Sequence, residues 1–177
     1  ALSYADSIAK TDALITDEPG LPLLLCFADC TPILLLDPAH RAVGIAHGGW
    51  KGTVRRIAAK TVLRMQQEFG TRPEDVLAAI GPSIGPCCYE VGPEVEHQFQ
   101  EAFPGHEAAL FSHPDAVGGT HLSLWAANRL QLEEIGVLRE HIDEARTCTA
   151  CHHEDFFSYR ADGGQTGRLG AVIALRS

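Results

Sequence analysis

The first quarter of the chain alternates short apolar segments with turn-forming residues. Each segment is bounded by Asp, Pro or Gly, which favour turns, and its length and composition predict a strand. We expect the second and third to be covered on both faces, as in layered α/β proteins, because consecutive positions in them are apolar. The four predicted strands are Ala13–Thr16, Leu21–Phe27, Ile33–Leu36 and Ala42–Ala46.

A helical period replaces this pattern after Gly52. Apolar residues then recur three and four positions apart, which predicts one amphipathic helix over Thr53–Phe69, with Thr53 as its N-cap and Gly70 as its stop. Further helices are predicted over Pro93–Phe103, where Pro93 suits a first helical position, and from Ser123 to a stop at Gly136.

Three more apolar segments complete the predicted elements. They are Val76–Ile80, Ile142–Thr147 and Leu169–Leu175, separated by a Gly- and Pro-rich segment at 81–88 and a polar, aromatic loop at 148–168. The order of elements predicts a mixed α/β (α+β) fold, a layered sandwich of mixed β-sheets with flanking helices. We expect residues 1–177 to form a single domain.

Composition excludes two classes of partner. The 177 residues carry 14 Lys and Arg against 23 Asp and Glu, a net charge of −9, which argues against a general grip on a nucleic-acid backbone. The longest apolar stretch, Leu21–Leu36, is interrupted by prolines and is too short to cross a bilayer. The expected partners are therefore small molecules, and the oligomeric state stays open.

The first residue and the cysteines bear on origin and location. Ala1 is no initiator methionine and no secretory signal follows it, so we expect the chain to begin inside a longer protein. Close pairing of cysteines favours reduced thiols or metal ligands over a disulfide framework, and with it a cytoplasmic location. The six cysteines form the pairs Cys26/Cys30, Cys87/Cys88 and Cys148/Cys151.

Cys30 and His47 form the first candidate site. Each ends or follows a predicted strand, so neighbouring strands can bring thiol and imidazole together, either to bind a metal or to activate a nucleophile. The alternative is a buried small cysteine and a turn histidine. The glycines of segment 48–52 permit close backbone approach, and Lys51 beside a helix start suits an anion such as phosphate.

The segment Cys148–His153 is the second candidate. Its Cys-x-x-Cys-His pattern matches haem attachment, but the single methionine, Met65, lies in the apolar stripe of a helix, which argues against haem. A zinc site there needs a second pair, for which Cys87 and Cys88 are available, although adjacent cysteines fit tetrahedral ligation poorly. The remaining interpretation is a loop whose histidines line a pocket or face water.

The third candidate is the segment 156–168. Its glycines indicate a tight loop, and Arg160 and Arg168 are suited to hold a phosphate or carboxylate, because a guanidinium forms paired hydrogen bonds. The alternative is a surface hairpin packed by Phe156 and Phe157.

Five motifs in fixed order resemble a known family. The chain from Asp12 onward is similar to the multicopper polyphenol oxidase (laccase-like) domain family, which also contains purine nucleoside phosphorylases and a peptidoglycan editing factor. The motifs are Ala28-Asp29-Cys30-x-Pro32, Ala46-His47-x-Gly49-Trp50-Lys51-Gly52, Ala79-Ile80-Gly81-Pro82-x-Ile84-Gly85-x-Cys87-Cys88-Tyr89-Glu90-Val91, Leu124-Trp125-x-Ala127-Asn128, and Phe156-Phe157-Ser158-Tyr159-Arg160 with Thr166-Gly167-Arg168.

The resemblance implies a metal, usually zinc, held by two histidines and one cysteine. Carried over by motif, Cys30 and His47 are two of these ligands, and the third falls upstream of Ala1, so we expect the chain to lack an N-terminal portion of its domain. Of the six cysteines, Cys30 is the one expected to act, and the other five are expected to be packing or loop residues. In-chain substitutes for the third ligand are His121, His152 and His153.

The resemblance also implies chemistry on purine nucleosides. The expected reactions are phosphorolysis of adenosine, inosine and methylthioadenosine, and hydrolytic deamination of adenosine, with phosphate held by Lys51, Arg160 or Arg168. One alternative is copper-dependent oxidation of phenols, since cysteine and histidine also suit copper. Another is a cysteine hydrolase that edits peptidoglycan precursors, with Cys30 as nucleophile and His47 as base.

Overall fold

Ten strands and five α-helices make up the chain in a computed structural model that describes residues 8, 11–113 and 118–176. Short 3-10 helices lie at Pro73–Asp75 and Arg139–His141. The strands are β1 (Ala13–Thr16), β2 (Leu23–Phe27), β3 (Thr31–Asp37), β4 (Ala42–Gly48), β5 (Leu77–Ile80), β6 (Glu90–Val91), β7 (Phe111–Ser112), β8 (Thr120–Leu122), β9 (Ile142–Glu144) and β10 (Leu169–Ile173). The helices are α1 (Trp50–Val54), α2 (Ile57–Phe69), α3 (Pro93–Ala102), α4 (Glu107–Leu110) and α5 (Leu124–Glu134).

A five-stranded mixed sheet lies at the centre, in the order β1-β4-β3-β5-β9. Its longest ladder is the β3–β4 hairpin, which pairs Thr31 with Gly48 at one end and Asp37 with Ala42 at the other. Neighbouring strands are antiparallel except for β5 and β9, which are parallel. Strands β2 and β10 form a separate antiparallel pair.

Side-chain alternation along β4 builds a layered structure. Ala42 and Ala46 belong to the core that α2 and α5 form on one face of the sheet, whereas Val43 and Ile45 pack against β2 and β10 on the other. Gly44 makes close approach of α2 possible, because a Cβ there would lie 3.1 Å from the sulfur of Met65. The result is a helix layer, the five-stranded sheet and a two-stranded layer.

A second core joins the rest of the chain to this sandwich. It packs α3, α4 and the three-stranded sheet β6-β8-β7 against α5. Two stacked rings of this core, Phe99 and Phe103, have centroids 5.7 Å apart. Buried residues at its centre are Ile84, Phe99, Phe103, Leu110, Leu122, Leu124, Ala127 and Cys148.

The predicted α+β sandwich is confirmed, and the predicted strands occur with small shifts of their ends. The single helix over Thr53–Phe69 is wrong. The helical segment begins at Trp50, and the left-handed backbone of Arg56 (φ 63°) divides it into α1 and α2. Thr53 is no N-cap. It is buried within α1, where Asn128 of α5 donates a hydrogen bond of 3.2 Å to its hydroxyl, so a tertiary contact satisfies this group.

The expectation of strands covered on both faces is confirmed for β3 but wrong for β2. Leu24 is 54% exposed, and its cross-strand partner Val172 is 52% exposed. The short elements β6, β7, β8 and α4 were not predicted, since two to four residues carry too little periodicity. No helix of the described residues is long and apolar enough to cross a membrane.

Candidate functional site

The β3–β4 ladder places Cys30 and His47 beside each other. Pro32 pairs with His47 and Thr31 with Gly48, so the next position before β3, Cys30, comes opposite Gly49. His47 has the same parity along β4 as Val43 and Ile45, which face the two-stranded layer. The imidazole therefore points to the β2 side of the sheet, where it stacks on a side chain of β2.

Gly49 leaves room for both functional side chains. A Cβ at this position would lie 3.0 Å from Sγ of Cys30 and 3.6 Å from Nε2 of His47. The His47 ring stacks on Phe27, the last residue of β2, with centroids 4.8 Å apart, and its backbone N–H donates to the carbonyl of Asp12 at 2.8 Å. These contacts fix the imidazole beside the thiol.

Cys30 and His47 lie in the wall of a cavity of about 480 Å³. The size is within the range of small-molecule sites, and its wall combines aromatic rings with two guanidinium groups. The lining residues are Cys26, Ala28, Asp29, Cys30, His47, Trp50, Ile84, Tyr89, Tyr159, Arg160 and Arg168.

Asp29 ties three segments of the chain together at the base of this cavity. Its carboxylate accepts a hydrogen bond of 2.7 Å from the Thr149 hydroxyl and another of 2.7 Å from the backbone N–H of Arg160. Its own carbonyl accepts from the N–H of Ile84 at 2.9 Å. With a backbone φ of 73°, Asp29 adopts the left-handed conformation that Asp and Asn tolerate best among side-chain-bearing residues. The residue before Cys30 thus fixes where Cys30 lies.

The two arginines are held in different ways. Arg160 donates from its terminal nitrogens to the carbonyls of Cys88 (3.1 Å) and Glu90 (3.0 Å), and its guanidinium lies 5.5 Å from the centre of the Tyr89 ring. Arg168 donates to carbonyls of its own loop, at 2.7 Å and 3.1 Å. Both bring positive charge to the cavity of an acidic protein.

Burial shifts the titration of the central groups. It raises the pKa of the Cys30 thiol to about 11; the charge of Asp29 adds to this and the guanidinium of Arg168 opposes it. It lowers the pKa of His47 below its usual range, an effect that Asp12 partly offsets. At neutral pH the pair is therefore a protonated thiol beside a neutral imidazole. A neutral imidazole is the form that binds metals, and the thiol must release its proton on metal binding.

The other predicted residues lie outside the cavity wall. Lys51 is exposed on α1, with its ammonium 5.3 Å from the centre of the Trp50 ring. Nδ1 of His121 lies 2.6 Å from the carbonyl of Pro86, and His152 and His153 are exposed in a turn. Over residues 8, 11–113 and 118–176, no other Cys, His, Asp or Glu joins Cys30 and His47 to make a three-ligand group.

A second group of potential ligands lies behind the cavity wall. The thiol sulfurs of four cysteines lie within 4.8 Å of one another and could hold a metal ion: Cys87, Cys88, Cys148 and Cys151. Sequence alone favours loop and packing roles for these four cysteines over a zinc site, and that expectation does not anticipate the group. The Cys-Cys and Cys-x-x-Cys pairs are the sequence patterns that indicate these metal ligands. The two pairs are 60 positions apart in the chain, however, and only the fold brings them together.

The chain matches a known protein family and is similar in sequence to enzymes of that family. The family model described as multi-copper polyphenol oxidoreductase laccase matches residues 1–176. The chain is 46% identical over 165 residues to a purine nucleoside phosphorylase of Bacteroides thetaiotaomicron, covering 93% of this chain and 60% of that protein. It is 40% identical over 162 residues to adenosine deaminase RL5 of an unknown prokaryotic organism, covering 92% and 61%.

The fold is also similar to that of solved structures. The crystal structure of YlmD from Geobacillus stearothermophilus superimposes with a TM-score of 0.92 at 41% identity, over 98% of this chain and 64% of that one. The chain thus spans about 60–64% of the length of these relatives.

Proposed function

Because the chain belongs to the multi-copper polyphenol oxidoreductase laccase family, we propose that it is a zinc-dependent purine nucleoside phosphorylase that also deaminates adenosine. The carrying observation is the cavity in which Cys30 and His47 face aromatic rings and two guanidinium groups. Relatives at 40–46% identity are named purine nucleoside phosphorylase or adenosine deaminase. We take residues 1–177 to be part of one domain of this kind.

Cys30 and His47 are the residues that would hold the metal. A thiolate and a neutral imidazole on one side of Gly49 are two of the three protein ligands that a catalytic zinc takes, and their donor types fit zinc. The third ligand that the family resemblance implies is a histidine, and no position of residues 1–177 matches it. A zinc ion held by these residues would supply hydroxide for deamination at neutral pH, because zinc lowers the pKa of a coordinated water to about 7.

The aromatic residues of the cavity would bind the purine. Trp50, Tyr89 and Tyr159 line its wall, and flat π-faces bind bases by stacking. Burial raises the pKa of Tyr89 to about 12, so its hydroxyl stays protonated and can donate to a ring nitrogen or ribose oxygen. The rings also exclude water from the base.

Phosphate would bind at Arg168 and Arg160. Arg168 lines the same cavity as Cys30, and its positive charge opposes the rise in the pKa of the Cys30 thiol. Arg160 is anchored on two backbone carbonyls, so its charge is fixed in position before any ligand binds. Lys51 on the adjoining helix is a further cation for a phosphate that approaches from solvent.

The test is product analysis with protein expressed from its complete gene. Adenosine with phosphate should yield adenine and ribose 1-phosphate, and adenosine alone should yield inosine. Cys30→Ser should abolish both reactions and remove the metal of this site, since a serine hydroxyl is a poor zinc ligand. Release of neither product by zinc-loaded protein would contradict the proposal.

Arg168→Gln separates the two reactions. Phosphorolysis should lose about 100-fold in kcat/KM for phosphate, because the variant removes a positive charge that would hold the attacking phosphate, while deamination is retained. The matched control is Arg139→Gln, which removes one charge from an exposed 3-10 helix outside the cavity wall and should leave both reactions unchanged. Equal loss of both reactions in Arg168→Gln would assign Arg168 a structural role.

Metal analysis decides between this proposal and phenol oxidation. Several coppers per chain, together with oxidation of a phenol such as 2,6-dimethoxyphenol, would favour the oxidase.

We also propose a cytoplasmic location. The cysteines of the described residues are free thiols, and the cytoplasm would keep them reduced.

A further inference from the structure

The four cysteines behind the cavity form a compact group with metal-site dimensions. Sγ of Cys151 lies 3.5 Å from Sγ of Cys87 and 3.4 Å from Sγ of Cys88, and the four sulfurs lie within 4.8 Å of one another. Zinc–sulfur bonds of about 2.3 Å give a tetrahedron whose sulfurs are about 3.8 Å apart. The sulfur–sulfur distances of this group, from 3.4 Å to at most 4.8 Å, lie on both sides of that value, so shifts of up to about 1 Å convert the group into a tetrahedral ligand set.

Backbone contacts hold the two contributing segments in register. Ser83 and Cys148 form a β-bridge, and the N–H of Thr149 donates to the carbonyl of Ser83 at 3.1 Å. The N–H of Gly85 donates to Sγ of Cys148 at 3.2 Å, the kind of hydrogen bond that stabilises a metal-bound thiolate. A Cβ at Gly85 would lie 2.7 Å from the Trp125 ring, so only glycine fits this approach.

We propose that Cys87, Cys88, Cys148 and Cys151 bind one structural Zn²⁺, separate from the Cys30–His47 site. Four thiols exchange their protons for the metal, giving a Zn(S-Cys)₄ group with a charge of −2 and no change in oxidation state. Cys87 and Cys151 are exposed, so the ion has access from solvent. With four protein ligands the coordination sphere is closed, which excludes water and marks the site as structural.

The zinc would fasten the wall of the cavity. Cys88 directly precedes Tyr89, which lines the cavity. The carbonyl of Cys88 accepts a hydrogen bond of 3.1 Å from Arg160, another lining residue. On the other segment, Thr149 follows Cys148 and donates to Asp29 at 2.7 Å. One ion thus joins two turns that position cavity residues, and this provides a cross-link where the described chain has no disulfide.

The test is metal content in a protein whose other site is removed. In a Cys30→Ala background, purified protein should retain about one zinc per chain, released by a thiol-modifying mercurial. Adding Cys151→Ser should lower zinc affinity by more than about 100-fold, whereas Cys151→His, which restores a ligand, should recover the ion. Because Cys151 is exposed, these variants keep the core intact. Near-UV circular dichroism checks that they are folded.

Cobalt substitution and a matched cysteine variant complete the test. Co²⁺ in the Cys30→Ala protein should give the intense visible bands of tetrahedral thiolate ligation, and Cys26→Ser, which changes an exposed cysteine outside the group, should not alter them. The proposal would be overturned if the Cys30→Ala protein contained no zinc or contained copper instead. It would also be overturned if the mass of that protein were lower by two hydrogens, because that loss indicates a disulfide bond. Each of these results leaves the proposed nucleoside chemistry of Cys30 and His47 standing.

Discussion

Replacing Asp29 by alanine should destabilise the protein and distort the cavity. The carboxylate accepts two short hydrogen bonds, from the Thr149 hydroxyl and the Arg160 N–H, both at 2.7 Å. Thr149 is 1% exposed, so its hydroxyl would lose a partner that water does not readily replace. Alanine would also have to adopt the left-handed backbone conformation (φ 73°) that Asp29 has.

The magnitude follows from these three losses. A hydrogen bond to a charged group contributes about 1.5–3 kcal/mol to the free energy of unfolding, and a left-handed alanine costs about 1 kcal/mol more than aspartate. Allowing for partial relaxation, we expect Asp29→Ala to cost about 3–5 kcal/mol. Asp29→Asn should cost less, about 2 kcal/mol, because asparagine tolerates this backbone and keeps one acceptor oxygen, but directs its amide at the Arg160 N–H.

Urea titration followed by circular dichroism and tryptophan fluorescence measures these values. The control is Asp17→Ala in the exposed β1–β2 turn, which should change the free energy of unfolding by less than about 0.5 kcal/mol. An Asp29→Ala variant within about 1 kcal/mol of wild type would refute the reasoning. So would an Asp29→Asn variant as unstable as Asp29→Ala, since that would assign the whole effect to charge.

Three further predictions test the supports of the sheet and of α1. Asn128→Ala should cost about 2–3 kcal/mol in urea titration, because it leaves the buried Thr53 hydroxyl without its 3.2 Å donor; a cost below about 0.5 kcal/mol would contradict this. Gly52→Ala should lower the Tm, because its Cβ would lie 2.9 Å from the His47 carbonyl; an unchanged Tm would count against so close a contact. Burial raises the pKa of Asp37, but hydrogen bonds to its carboxylate outweigh burial and hold the pKa below its usual range. Its contribution is therefore present above about pH 4 and lost as pH falls through the lower folded pKa. Asp37→Asn should be less stable at neutral pH and converge with wild type in acid, as thermal melts at several pH values would reveal, and a constant difference would exclude this linkage.

Local sequence predicted the elements whose signals are local. Apolar segments bounded by turn residues predicted strands such as β4, and the helix predicted from Ser123 occurs as α5, which the Ser123 side chain caps by accepting from the N–H of Ala126. The break at Arg56 was not predictable in this way. Val54 and Ile57 lie three positions apart, so the apolar stripe continues across the break although the backbone does not.

The candidate site also contains some residues that local sequence identifies and others that only the fold identifies. Cys30 and His47 were identified from residue type and position at predicted strand ends, and the β3–β4 register places them side by side. Lys51 was selected by the same reasoning and lies outside the cavity wall, because α1 begins at Trp50 and turns it toward solvent. The carboxylate of Asp29 carried no separate sequence signal, since its partners lie 120 and 131 positions away.

The sequence by itself determined the family, the layered α+β order of elements and the pairing of one thiol with one imidazole, because motifs, hydrophobic period and turn chemistry act over a few residues. Only the tertiary structure decided which groups share a cavity and that four cysteines meet at a single point. Those positions depend on strand register and on hydrogen bonds between distant segments, such as the Ser83–Cys148 bridge. Such contacts form only when the whole core has packed.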